Sequence, residues 1–144
     1  MILAKRSNSE LATSKHRLLH ETKELIKIAP ELEVKDFEYK HFNIGGIWAS
    51  EILIKEGTLM VGNFYKQAHM INISKGSIVM DIAGFAEVYS APLTVAIEAG
   101  TQKALIAIEE SIVTTYIRSD AVTIDDMVRE ATTSEPDEIV GFHG

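Results

Sequence analysis

The sequence predicts an all-β domain, a sandwich or closed barrel, with a helical arm before it and a short helix after it. Three observations carry this. Apolar and polar residues alternate in short runs from Val34 onward, which suits half-buried strands. The runs recur every ~8–12 residues between Gly and Pro punctuation, the rhythm of a sandwich or barrel. Gly57, Gly76 and Gly100 fall where the tight turns of a small barrel belong.

The arm comes first. Ser7-Asn8-Ser9-Glu10 has the capping-box pattern, so a helix starts there. Leu11, Leu18 and Leu25 recur every seventh residue, with Leu19 and Ile26 beside them, and make a narrow apolar stripe. That stripe serves packing on the barrel or on another chain. Pro30 ends the helix. Residues 1–30 are therefore read as an interaction arm and 31–119 as the barrel. Phe37, Tyr39 and His41 alternate with Glu38 and Lys40; Gly45-Gly46 breaks this strand. Trp48, Ser50, Ile52 and Ile54 alternate up to Gly57. Further strands are expected at Thr58–Gly62, His69–Ile73, Ser77–Ile82, Ala86–Tyr89, Thr94–Ile97, Ala104–Ile108 and Ile112–Ile117. Thr123-Ile124-Asp125-Asp126 opens a second helix that runs to about Ala131. It belongs to an acidic helix and tail, residues 120–144.

Bulk properties exclude several classes. The 144 residues are 46% hydrophobic and 24% charged, ordinary for a globular domain. No run approaches the ~18 apolar residues of a membrane helix. With no cysteine there is no disulfide, thiolate nucleophile or cysteine zinc site. The net charge is −7 and unevenly placed. Before Pro30 the chain carries net +3; after Ser119 it carries net −6. Such ends pair with each other, with another copy or with a partner. An acidic barrel and tail disfavour nucleic acid, whose affinity rests on phosphate contacts.

The order of short runs resembles a known family. From Gly57 five residues lead to Asn63, then Tyr65, then His69, then Gly76; Glu98-Ala99-Gly100-Thr101-Gln102-Lys103 follows after a strand. That spacing resembles the two motifs of the cupin superfamily, whose fold is a jelly-roll barrel. Between Gly57 and Arg118 the runs Gly57-Thr58-Leu59-Met60-Val61-Gly62, His69-Met70-Ile71-Asn72-Ile73-Ser74-Lys75-Gly76 and Ala107-Ile108-Glu109-Glu110-Ser111-Ile112-Val113 are similar to small cupin-like proteins of tailed bacteriophages. In metal-binding cupins the first motif gives two histidines and a glutamate, and the second gives one more histidine. Here those slots hold Asn63, Tyr65, His69 and Lys103, and Arg118 stands where the phage proteins commonly end a strand in histidine. An amide, a protonated phenol and an ammonium are poor partners for a divalent ion. The resemblance thus implies the barrel without its metal: no cofactor, and no catalytic residue.

Other constellations give less. His16 and His20 share a helix face, but Arg17 stands where a metalloprotease has its glutamate. No Gly-x-Ser-x-Gly elbow exists, and Gly45-Gly46 lacks the lysine of a phosphate loop. Glu109-Glu110 are adjacent and read as loop-end charges.

The resemblance implies a non-enzymatic structural component of a bacteriophage virion. It would sit at head, connector or tail and be made in the host cytoplasm. Leu11, Leu18 and Leu25 would fasten it to copies of itself and to other virion proteins, with no membrane or nucleic-acid contact. The alternative is a small-ligand-binding cupin module acting in the infected cell, its barrel mouth holding a sugar or nucleotide against Tyr65, His69 and Lys103. A metal-dependent cupin enzyme is the third expectation.

Overall fold

The computed structural model describes residues 2–5, 38–62, 64–82 and 85–133. Within them lie twelve strands and one helix. The strands are β1 (Ile2–Lys5), β2 (Glu38–Ile44), β3 (Ile47–Ile54), β4 (Thr58–Val61), β5 (Phe64–Tyr65) and β6 (His69–Lys75). Then come β7 (Ser77–Ile82), β8 (Phe85–Ser90), β9 (Leu93–Ile97), β10 (Lys103–Ala107), β11 (Ser111–Arg118), helix α1 (Ile124–Ala131) and β12 (Thr132–Thr133). The expected strands are all present, with ends shifted by one or two residues. The expected helix lies over Ile124–Ala131. Leu11, Leu18, Leu25, His16, His20 and Asn63 lie outside the described residues.

Two five-stranded antiparallel sheets face each other, in orders β1-β4-β10-β7-β8 and β2-β3-β11-β6-β9. This is a jelly roll. Its core follows from alternation. On the second sheet Ile52, Ile71, Ile73, Ile97 and Val113 point inward; on the first, Ile78, Met80, Leu105 and Ala107 meet them. Fully burying a side chain of this size is worth ~1.5–3 kcal/mol.

The centre of the first sheet, at β4 and β10, is buried on both faces. Its β10 reads Ala104-Leu105-Ile106-Ala107, four buried residues in succession. Leu59, Val61, Ala104 and Ile106 point away from the barrel interior, yet all are buried. Strands covered on both sides lose the polar half of the alternation. Ile2–Lys5, which the sequence reading left in the arm, pairs antiparallel with β4 and extends this sheet.

Gly57, Gly76 and Gly100 all have φ between 82° and 84°, the left-handed region that favours glycine. At Gly76 the demand is also steric. A Cβ there would collide with the Ser111 Oγ and the Glu110 carbonyl oxygen. The neighbouring turn is closed at the surface by Lys75 and Glu110, 2.7 Å apart. Their pairing holds the exposed Glu110 carboxyl below the usual carboxylate range. This matches the loop-end role expected of that residue.

Helix α1 closes one end of the barrel. Thr123 caps it, its Oγ1 accepting from the Asp126 N–H at 3.2 Å. Met127 and Ala131 pack on Trp48 and Ile117 as a second small core. Trp48 Nε1 donates to the Ala121 carbonyl at 3.1 Å, tying the approach to the helix onto β3. Beyond the helix β12 pairs with β5, and Lys66 N–H donates to the Ala131 carbonyl at 2.7 Å. That clamp fixes the segment carrying Tyr65.

Candidate functional site

The site forms where the two apolar cores meet. Three elements supply it: β5 carries Tyr65, the first residue of β6 is His69, and the first residue of β10 is Lys103. The turn around Gly100 draws them together. Gly100 N–H donates to the Tyr65 carbonyl at 2.8 Å, and Gly62 N–H donates to the Lys103 carbonyl at 3.0 Å. Gln102 Nε2 also donates to the Gly62 carbonyl, at 2.9 Å. The block of residues 98–103 thus clasps Gly62 and Tyr65.

The side chains stack. The Tyr65 and His69 rings lie 4.0 Å apart between centroids, inclined by 25°. Lys103 Nζ sits 4.2 Å above the centre of the Tyr65 ring, in cation–π position. The same nitrogen makes a hydrogen bond with His69 Nε2. His69 Nδ1 lies 3.2 Å from the Gln67 carbonyl oxygen. A carbonyl only accepts, so Nδ1 carries the proton and Nε2 offers its lone pair to Lys103.

Burial dominates the electrostatics. It brings the Lys103 ammonium down from 10.5 to about 7. Burial, followed by the charge of Lys103, brings His69 down from 6.5 to about 4, against the pull of the Gln67 carbonyl. Burial pushes the Tyr65 phenol up, while the hydrogen bond from Thr115 pulls the other way. Tyr39 is pushed further up, by burial and then by its proximity to Tyr65. No carboxylate is among the residues that line the cavity with Lys103; Lys75–Glu110 and Arg129–Asp126 are ion pairs elsewhere on the surface.

A cavity of about 70 Å³ opens beside this trio. Ile52, Met60, Ile71, Met80 and Leu105 make most of its wall; Tyr39, Ser50, Thr115, Tyr65 and Lys103 supply the polar atoms. Its volume is about half the roughly 150 Å³ that accepts a benzene ring. A sugar or a nucleotide is therefore too large for it.

The structure brings together Tyr65, His69 and Lys103, the three residues singled out from sequence. It adds Tyr39, Ser50 and Thr115. Strand register, and not sequence pattern, is what brings them to the site. Ser50 and Thr115 face each other in register on β3 and β11, and Tyr39 faces Ile52. Each is a polar residue on the cavity side of its strand.

No family model and no curated protein matches the sequence. Solved structures do match. One is an RmlC-like cupin from Shewanella frigidimarina, 13% identical, covering 67% of this chain and 88% of its own, with a TM-score of 0.53. Another is the cupin domain of Cnp3 from Schizosaccharomyces pombe, 12% identical, covering 73% and 80%, with a TM-score of 0.53. The barrel has the cupin fold. An ectoine synthase from P. lautus is similar as well, at 14% identity, 71% and 78% coverage and a TM-score of 0.56. Cupins of this shape thus include enzymes, and the fold alone does not assign an activity.

Cupins that use a metal need converging imidazoles or carboxylates. Among the described residues no three histidines, aspartates or glutamates converge. The free lone pair of His69 is turned to Lys103, and Tyr65 is bonded to Thr115. An ammonium beside the one suitable imidazole opposes a divalent ion. These residues do not fit a cupin metal.

Proposed function

We propose that this chain is a non-enzymatic cupin module that binds a small, largely apolar molecule bearing one polar group. The observation that carries this reading is the cavity. Its wall is apolar, and its polar groups converge at the end where Lys103 meets His69 and Tyr65. Small-molecule sites have this composition: hydrophobic lining with a few oriented polar groups. The tight packing of Tyr65 and His69 holds those groups before any ligand arrives, which lowers the entropic cost of binding.

The test uses nuclear magnetic resonance on ¹⁵N-labelled protein titrated with acetone and acetamide. Saturable shifts at Tyr65, Lys103 and Thr115, lost in Lys103→Met, are expected. Unshifted resonances at millimolar ligand would refute the reading.

A second reading is favoured by the outer face of the second sheet. Phe42, Ala49, Tyr116, Met70 and Ala96 stand in register across all five strands. Phe42, Met70 and Tyr116 are 57%, 50% and 37% exposed, and Ile44 and Ile47 extend the row. Contiguous apolar surface of this kind marks a contact face. The next row pairs Lys40 with Glu51, so a two-fold related copy would meet opposite charges. In this reading the chain is a structural subunit that associates with itself, and the phage resemblance makes the assembly a virion. Analytical ultracentrifugation tests it: a dimer that Tyr116→Lys converts to monomer supports it, and a monomer at every concentration counts against it.

A further inference from the structure

Lys103 lines the cavity with an amine whose hydrogen-bond partner is an unprotonated imidazole nitrogen. Nothing anionic lies among the residues of that wall. A cavity of about 70 Å³ admits about four non-hydrogen atoms. At the ceiling of ~1.5 kcal/mol per atom for very small ligands, contacts alone give ~6 kcal/mol, a weak complex. A covalent bond to Lys103 removes that limit.

We infer that Lys103 captures a short aliphatic aldehyde or ketone as a reversible imine, with His69 as the base that serves it. This rests on the ligand-binding reading above. Lys103 in its neutral form attacks the carbonyl carbon with the lone pair of Nζ. A C–N bond forms, and the π pair of the C=O bond moves to oxygen. His69 Nε2 takes a proton from the nitrogen and passes it to the oxygen, giving the carbinolamine. The nitrogen lone pair then forms the C=N bond as the hydroxyl leaves, and the proton still on nitrogen moves through His69 Nε2 to that hydroxyl, which departs as water. Amine and carbonyl compound thus become imine and one water, with no change of oxidation state. Hydrolysis returns both. The chemistry is capture and release.

The lowered proton affinity of Lys103 supports this. At pH 7 about half of its amine is neutral, given a value of about 7. A surface lysine near 10.4 offers on the order of a thousandfold less. The Gln67 carbonyl holds the His69 proton on Nδ1, so the basic nitrogen faces the amine.

The experiment uses the full chain at pH 7 with acetaldehyde and sodium cyanoborohydride, which reduces an imine to a stable ethylamine. Peptide mass mapping then locates the ethyl groups. The expected result is ethylation of Lys103 well ahead of the lysines at Lys40, Lys55, Lys66 and Lys75. His69→Gln should slow labelling of Lys103 by roughly 10²-fold, the lower range of general-base catalysis, and leave the other lysines unchanged. Labelling of Lys103 at the pace of the other lysines, or none, overturns the inference, and that result needs no variant to fold. If Lys103 escapes ethylation while acetaldehyde still shifts the resonances of Tyr65 and Thr115, the imine is wrong and the binding pocket stands. If neither occurs, both readings fall.

Discussion

Dehydration sets the behaviour of the polar trio. A lysine in water keeps its proton to about 10.4. Lys103 sits among Leu105, Met60 and the Tyr65 ring, and its hydrogen-bond partner is a neutral imidazole. Its unfolded form therefore binds a proton that the folded form gives up between about 7 and 10.5. Stability must rise with pH across that window, because the unfolded state holds more protons there. Lys103→Met removes the linkage. Its thermal midpoint should exceed that of the native chain at pH 7, and the difference should shrink as pH approaches 10.5. A gap independent of pH would contradict this. His69 follows the same sign at lower pH. Its value falls from 6.5 to about 4 on folding, so stability is lost as pH drops from 6.5 through 4. His69→Gln should flatten that part of the profile in acid denaturation followed by circular dichroism. His69 and Lys103 were legible in the sequence because they occupy spaced positions within turn-bounded motifs. Tyr39, Ser50 and Thr115 were not, because polar residues at inward strand positions look like ordinary alternation until the register is known.

At the scale of elements, local pattern decided most of the outcome. β3 alternates Trp48, Ser50, Ile52 and Ile54 inward, and a single sheet face explains it. The capping pattern at Thr123 placed α1 correctly. Thr123→Ala should cost ~1 kcal/mol of stability. β5 and β12 escaped notice, since two residues carry no period. β1 escaped because Ile2–Lys5 is a strand only through pairing with β4. Gly76 is the turn most sensitive to change. An alanine there meets a left-handed backbone costing ~1–2 kcal/mol and a clash with Ser111 and Glu110 costing ~1–3 kcal/mol more. Chemical denaturation of Gly76→Ala should show a loss of about 3 kcal/mol, whereas a loss below ~1 kcal/mol would mean the β6–β7 turn can relax.

For the whole molecule, the jelly roll does two things. It closes two sheets over a core that runs from Ile54 to Met80, and it leaves one end for Lys103, His69 and Tyr65 under the cover of α1. The cupin architecture was readable in the sequence because turn glycines and strand rhythm are local. The purpose of the cavity was not, because its size and lining arise from residues on eight strands far apart in sequence. The outer row of Phe42, Tyr116 and Met70 was equally hidden, being a product of register across β2, β3, β11 and β6. A site of this kind depends on one property: an amine kept out of water beside a neutral imidazole. Titration of the Lys103 side-chain resonances by heteronuclear NMR measures that property directly. An inflection near pH 7 is the predicted result. An inflection near the ~10.4 of a solvated lysine would contradict the account.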